Sequence, residues 1–166
     1  GAGCNLEGYL GIAAGDFERA RDYLSLARAH SDRAGAPFSL GYSLSTAGVN
    51  LMVQGLLQEA LEKFRQGMSE PRIALDESVA SAALVSCYVQ ALYEANDLKA
   101  AESLFMQFHD VIANAALLDY LTLANIAMSR IHDAQGHPAK AQEILDEVEN
   151  IGHASSWPRV LRIISW

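Results

Sequence analysis

Cys87, five histidines and two adjacent pairs of acids are the side chains with which this chain could do covalent, metal or acid–base chemistry. Cys87 stands in ALVSCYVQAL. An apolar surround raises a thiol's pKa and leaves it protonated, so an unreactive packed cysteine is expected there. His132 and His137 are five apart and straddle Gly136. A metal pair on a helix needs two histidines on one face, one turn apart, with no turn between them. His132 falls where Leu51 and Leu92 fall in equivalent segments, and reads as a packed histidine. His137 reads as a helix-start residue, and His30, His109 and His153 as late-helix residues near carbonyl ends. Asp76-Glu77 and Asp146-Glu147 are neighbours in sequence, so on a helix each pair diverges by about 100° and reads as solvated surface. GAGCNLEG at the start superficially looks like a dinucleotide-binding loop. Such a loop needs a strand before it and a helix opened by it, and this segment aligns instead with a small-residue helix. GxxxxGK[S/T], GxSxG, HExxH and CxxC are all missing from the sequence. The expectation is a chain that is not an enzyme and holds no metal or cofactor of its own.

The bulk composition agrees with a binding role. The chain has 166 residues, 51% hydrophobic and 19% charged, enough for a sizeable core and too apolar for disorder. Its formal charge is −8, with twelve Lys plus Arg scattered among twenty acids, so no basic stripe is available for phosphates. No apolar run approaches the ~20 residues of a membrane span, and the first residues lack a basic leader. Cys4 and Cys87 are too few for a disulfide scaffold and suit a reduced, cytoplasmic protein.

The elements that must position any site are set by a repeat. AAGDFERA ends at Ala20, VQGLLQEA at Ala60, EANDLKAA at Ala101 and AQGHPAKA at Ala141. Their turn residues, Gly15, Gly55, Asn96 and Gly136, are 40, 41 and 40 apart. Four residues past each alanine stand Leu24, Phe64, Phe105 and Leu145; seven past stand Ala27, Gly67, Phe108 and Val148. Offsets of 0, 4 and 7 lie on one helical face, so each turn opens an amphipathic helix. Leu44, Ala47, Gly48 and Leu51 give the same spacing before the second turn, which makes each unit helix, turn, helix. Glycine enters the left-handed region without a Cβ clash, and Asn96 is its usual substitute. Asp16 and Asp97 sit where an acid caps the next helix, and Pro138 where a proline opens one. Gly8 and Gly48, at equivalent places, mark close helix approach.

The expected architecture is all-α: a right-handed α-α superhelix, a solenoid of four helical hairpins with period 40–41 and the start of a ninth helix, RVLRIISW. One repeat domain over 1–166 divides into units of about 1–36, 37–70, 71–114 and 115–154, with a partial unit at 155–166, and reads as a piece of a longer array. Pro37, Pro71 and Pro158 punctuate the joints.

The G-x-x-x-x-A…[F/L]-x-x-small pattern resembles tetratricopeptide repeats, whose ordinary period is about 34 residues. LYEANDLKAAESLF and LTLANIAMSRIHDAQGHPAKAQEILDEVENIGHASSWPRVL are similar to the helical-repeat domain of MalT-like, LuxR-type, ATP-dependent bacterial transcriptional regulators. That resemblance is strongest over Leu92 to Leu161. It implies a sensing or partner-docking domain, with ATP bound in a separate module and DNA through a separate helix-turn-helix, neither of which has a motif in this chain. In tetratricopeptide-like units the first helix of each hairpin lines a concave groove. The positions not committed to packing there are Asn5, Tyr9, Tyr42, Ser45, Ser86, Gln90, Tyr93, Glu94, Arg130 and Asp133. Neutral polar groups among tyrosines suit a neutral small effector, such as a sugar or an aromatic compound. The same residues would also serve as an ordinary solvated face, and docking of a peptide or partner protein is the alternative.

Overall fold

The computed structural model describes residues 1–74, 79–114 and 118–158, and among them the chain forms ten helices and no strand. The order is α1 Ala2–Ala13, α2 Phe17–Ala34, α3 Pro37–Val53, α4 Leu57–Met68, α5 Pro71–Ala74, α6 Val79–Glu94, α7 Leu98–Gln107, α8 His109–Asn114, α9 Leu118–Ala134 and α10 Pro138–Ala154.

The four turns of the sequence beat close in the same way. Gly15, Gly55, Asn96 and Gly136 have φ of 74°, 76°, 59° and 80°. At each, the left-handed residue's N–H donates to the carbonyl three residues back, and the following N–H to the carbonyl five back. Asp16 N–H reaches Gly11 O at 2.9 Å, Leu56 reaches Leu51 at 3.0 Å, Asp97 reaches Leu92 at 2.9 Å and His137 reaches His132 at 2.8 Å. This is the two-bond Schellman closure, which satisfies carbonyls that a helix end would otherwise leave bare. Asp16 and Asp97 then cap the next helix, accepting from Arg19 N at 3.1 Å and Ala100 N at 3.2 Å. Pro37 and Pro138 occupy the first turns of α3 and α10.

The helices pack in two layers. α1, α3, α6 and α9 each lie against the next, while α2, α4 and α7 each wedge against two consecutive members of that row and α10 packs on α9. The small residues are at the crossings. Ala20, Ala60 and Ala101 are fully buried, and Ala141 nearly so. At Gly48 an added Cβ would lie 2.3 Å from the ring of the fully buried Phe64, so the helix α3 approaches that ring as only glycine permits. α6 is the core helix: eleven of its sixteen residues are buried, so it is apolar on every side rather than striped.

Several sequence expectations need correction. The helix that follows Asn96 ends at Gln107, because Phe108 leaves helical geometry at φ −114° and caps it. His109 therefore opens the short α8 instead of closing a helix. Pro71 starts the separate four-residue α5, ahead of α6. Asp76, Glu77 and RVLRIISW lie outside the described residues. The left-handed closure also recurs between units, at Gly35 (φ 59°) and at Ser156 (φ 51°), so Gly15, Gly35 and Gly55 follow one another at steps of 20. Among the described residues, no helix is long and apolar enough to cross a membrane.

Candidate functional site

The row α1, α3, α6, α9 carries all ten side chains expected to face a groove, and the structure divides them by depth. Asn5, Ser45 and Ser86 are buried. Asn5 Nδ2 donates to Ser39 O at 3.2 Å, and Ser43 Oγ donates to Asn5 Oδ1 at 2.9 Å, so this amide ties α1 to α3. Ser31 and Ser39 extend the same network, their hydroxyls 2.8 Å apart. Ser45 Oγ donates to Tyr42 O within its own helix at 3.0 Å. Ser86 is fully enclosed, with no partner for its hydroxyl among the described residues. These three have no surface for a ligand to touch. Tyr42, Gln90 and Tyr93 are half-buried, and Tyr9, Glu94, Arg130 and Asp133 are exposed. Gln90 Nε2 donates to Glu94 Oε1, one turn along α6.

The aromatic residue with the most surroundings is Tyr42. Phe38 stacks on it at 6.5 Å between ring centroids, and Tyr120 of α9 meets it edge-on at 6.4 Å. α3 and α9 are not neighbours in the row, so these two rings meet across α6. Burial, with smaller contributions from Cys87 and from a hydrogen bond to Tyr42, holds the Tyr120 hydroxyl well above the ordinary phenol range. The protonated Tyr120 hydroxyl is hydrogen-bonded with Tyr42, and Phe38, on the other side of Tyr42, is 54% exposed. The sequence reading named Tyr42 but neither Phe38 nor Tyr120, the rings packed against it. Phe38 was within reach of it, since Phe38 and Tyr42 are one helical turn apart. Tyr120 was not, because its contact depends on how α3 and α9 pack on α6.

Cys87 has the environment expected of it. It is buried, and burial pushes its thiol up to about 12, so it is not a thiolate near neutral pH. His132 is half-buried with an unpartnered Nδ1 among the described residues, and its ring meets His137 edge-on at 6.3 Å. The two rings thus meet edge-on across the Gly136 turn. Among the described residues no group of three His, Cys, Asp or Glu side chains could hold a metal ion.

A second concavity lies on the other layer. α2 and α4 both pack on α3 and scarcely on each other, leaving a groove of ≈ 580 Å³ lined by residues of all three. Comparison with known protein families finds no match for this chain, and comparison with curated proteins finds none either.

Proposed function

We propose that the chain is a non-catalytic sensing and interaction domain: a tetratricopeptide-like α-α superhelix of four hairpins, serving a MalT-like, LuxR-type transcriptional regulator of bacteria. The observation that carries the repeat reading is the set of four identical turn closures at 40- and 41-residue steps. Supporting it is the packing order, in which each helix touches its neighbours along a row and little else. The inert thiol of Cys87 supports the non-catalytic part.

In this reading the effector sits on the face of α3, α6 and α9, around Tyr42, Phe38 and Tyr120, with Tyr93 further along. Stacking faces with a protonated hydroxyl suit a neutral ring compound or sugar. Binding there favours one curvature of the row over another, and that bias is the signal to an adjoining module. DNA and ATP are contacted elsewhere in such a regulator. The alternative, a scaffold that docks a peptide or partner protein on the same row of helices, is supported by the exposed Glu94, Arg130 and Asp133 near the C-terminal ends of α6 and α9.

The test is a thermal-shift screen of the chain against sugars and aromatic acids, repeated with the Tyr42→Ala/Tyr93→Ala variant. Saturable stabilisation lost in the variant supports the effector site. If the variant keeps both its melting temperature and its ligand response, the site is elsewhere. Silence across the library turns the reading to protein docking.

A further inference from the structure

The groove between α2 and α4 is built differently from the aromatic face and lies on the opposite layer. Its floor is α3, with Ala47 and Leu51 above the buried Leu44 and Leu24, and the 41%-exposed Leu56 continues the apolar surface up one side. The walls carry opposite charge. On α2 stand Arg21 and Arg28 with Glu18; on α4 stand Glu59 and Glu62 with Lys63. Counted over these lining residues, each wall has one net charge, positive on α2 and negative on α4, where Glu62 is also paired with Arg65 and Glu59 carries the charge turned to the groove. The ion pairs of the two arginines are long and exposed: Arg21 to Asp22 at 3.7 Å and to Glu18 at 3.9 Å, and Arg28 to Asp32 at 3.9 Å. They leave both guanidinium groups able to take a closer partner.

The dimensions fit one kind of occupant. From Glu18 to Arg28 the α2 wall runs about 15 Å, at the rise of an α-helix. A helix about 10 Å across and of that length fills roughly 1,200 Å³, so one sunk to half its depth fills about what the groove offers. Two helices packed on a third but not on each other present the seat into which a further helix settles. Beneath the floor one buried polar group is incompletely bonded. Asn50 is 4% exposed, and its Nδ2 donates to Phe17 O at 3.2 Å. Its Oδ1 has no partner among the described residues.

We propose that the groove between α2 and α4 docks an amphipathic helix of a partner protein, its apolar stripe on α3, an acidic flank on the α2 wall and a basic flank on the α4 wall. The proposal rests on this groove alone and is independent of any effector on the opposite layer.

The probes are three labelled peptides of about twelve residues, a length that spans the groove. They share one leucine stripe. One has glutamates on one flank and lysines on the other, one has glutamates on both, and one has lysines on both. Exchanging the flanks of the first is no control, because a helix can lie in either direction. Fluorescence anisotropy should show the split-flank peptide binding roughly fivefold more tightly than either uniform one. The surface variant Arg21→Glu/Arg28→Glu makes both walls acidic and should transfer the preference to the all-lysine peptide. Ala47→Trp fills the floor and should weaken all three, with unfolding curves confirming a folded chain. Equal binding of the three peptides, a preference unmoved by the wall reversal, or no binding at about 100 µM would each overturn the proposal.

Discussion

Replacing Gly55 by alanine isolates the backbone geometry of one left-handed helix–helix turn from everything else. Gly55 has φ 76°, and a Cβ built there meets nothing within 4 Å. No packing changes, so the effect is that of an L-residue held in the left-handed region, about 1–2 kcal/mol. Against this stands the lower entropy of the unfolded alanine chain, worth roughly 0.4–1 kcal/mol. The net expectation is a loss of about 0.5–1 kcal/mol, a fall in Tm of roughly 1–4 °C for a chain of this size. Gly3 supplies the opposite case, because it lies within α1, is exposed and has nothing within 4 Å of a built Cβ. Gly3→Ala should stabilise by about 0.5–1 kcal/mol. Asn96 already bears the strain at φ 59°, so Asn96→Gly should be neutral or stabilising, and Gly55→Val should be worse than Gly55→Ala. Urea unfolding followed by circular dichroism, with unchanged slopes, reads all of these. If Gly55→Ala stabilised the chain as Gly3→Ala does, the turn argument would fail.

The same curves test three further points. Gly48→Ala forces a methyl into the Phe64 ring and should lose about 1–3 kcal/mol, while in the Phe64→Leu background the same substitution should lose clearly less. Asp97→Ala removes the acceptor of the Ala100 amide and should destabilise by about 1 kcal/mol, whereas Asp97→Asn should retain most of the cap. A disulfide reagent at mildly alkaline pH should find Cys4 in the folded chain and Cys87 only after unfolding, since Cys87 is buried and its thiol is pushed up to about 12. Rapid reaction of Cys87 in the native protein would contradict that environment.

The parts of the fold visible in the sequence were those with a local cause. A left-handed turn needs glycine or asparagine, a helix start takes aspartate or proline, and a packed helix face recurs at offsets of 4 and 7. Those demands located Gly15, Gly55, Asn96 and Gly136, the caps at Asp16 and Asp97, and the buried row of Ala20, Ala60 and Ala101. The closure at Ser156 has no such signature, because serine rarely adopts φ near 51° and nothing local announces it. The break at Phe108 was hidden for a related reason: its apolar side chain fitted the helical face while its backbone left the helix. The binding face was less legible than the fold. Asn5 looked like a free amide, yet it is engaged with Ser39 and Ser43, residues 34 and 38 positions away. Which polar side chain is consumed by packing and which is left to bind depends on contacts that no period encodes. Tyr42 and Tyr120 make the same point, since they meet only because the helices between them set their distance.

The central claim is that one helix–turn–helix unit recurs at 40- and 41-residue steps, and amide hydrogen exchange tests it most directly. The N–H groups of Asp16, Leu56, Asp97 and His137 each donate to the carbonyl five residues back, at 2.8–3.0 Å. Four amides in turns, all slowed well below their intrinsic rates and by similar factors, is the predicted result. Exchange of any of the four at the rate of an unbonded loop amide would contradict it.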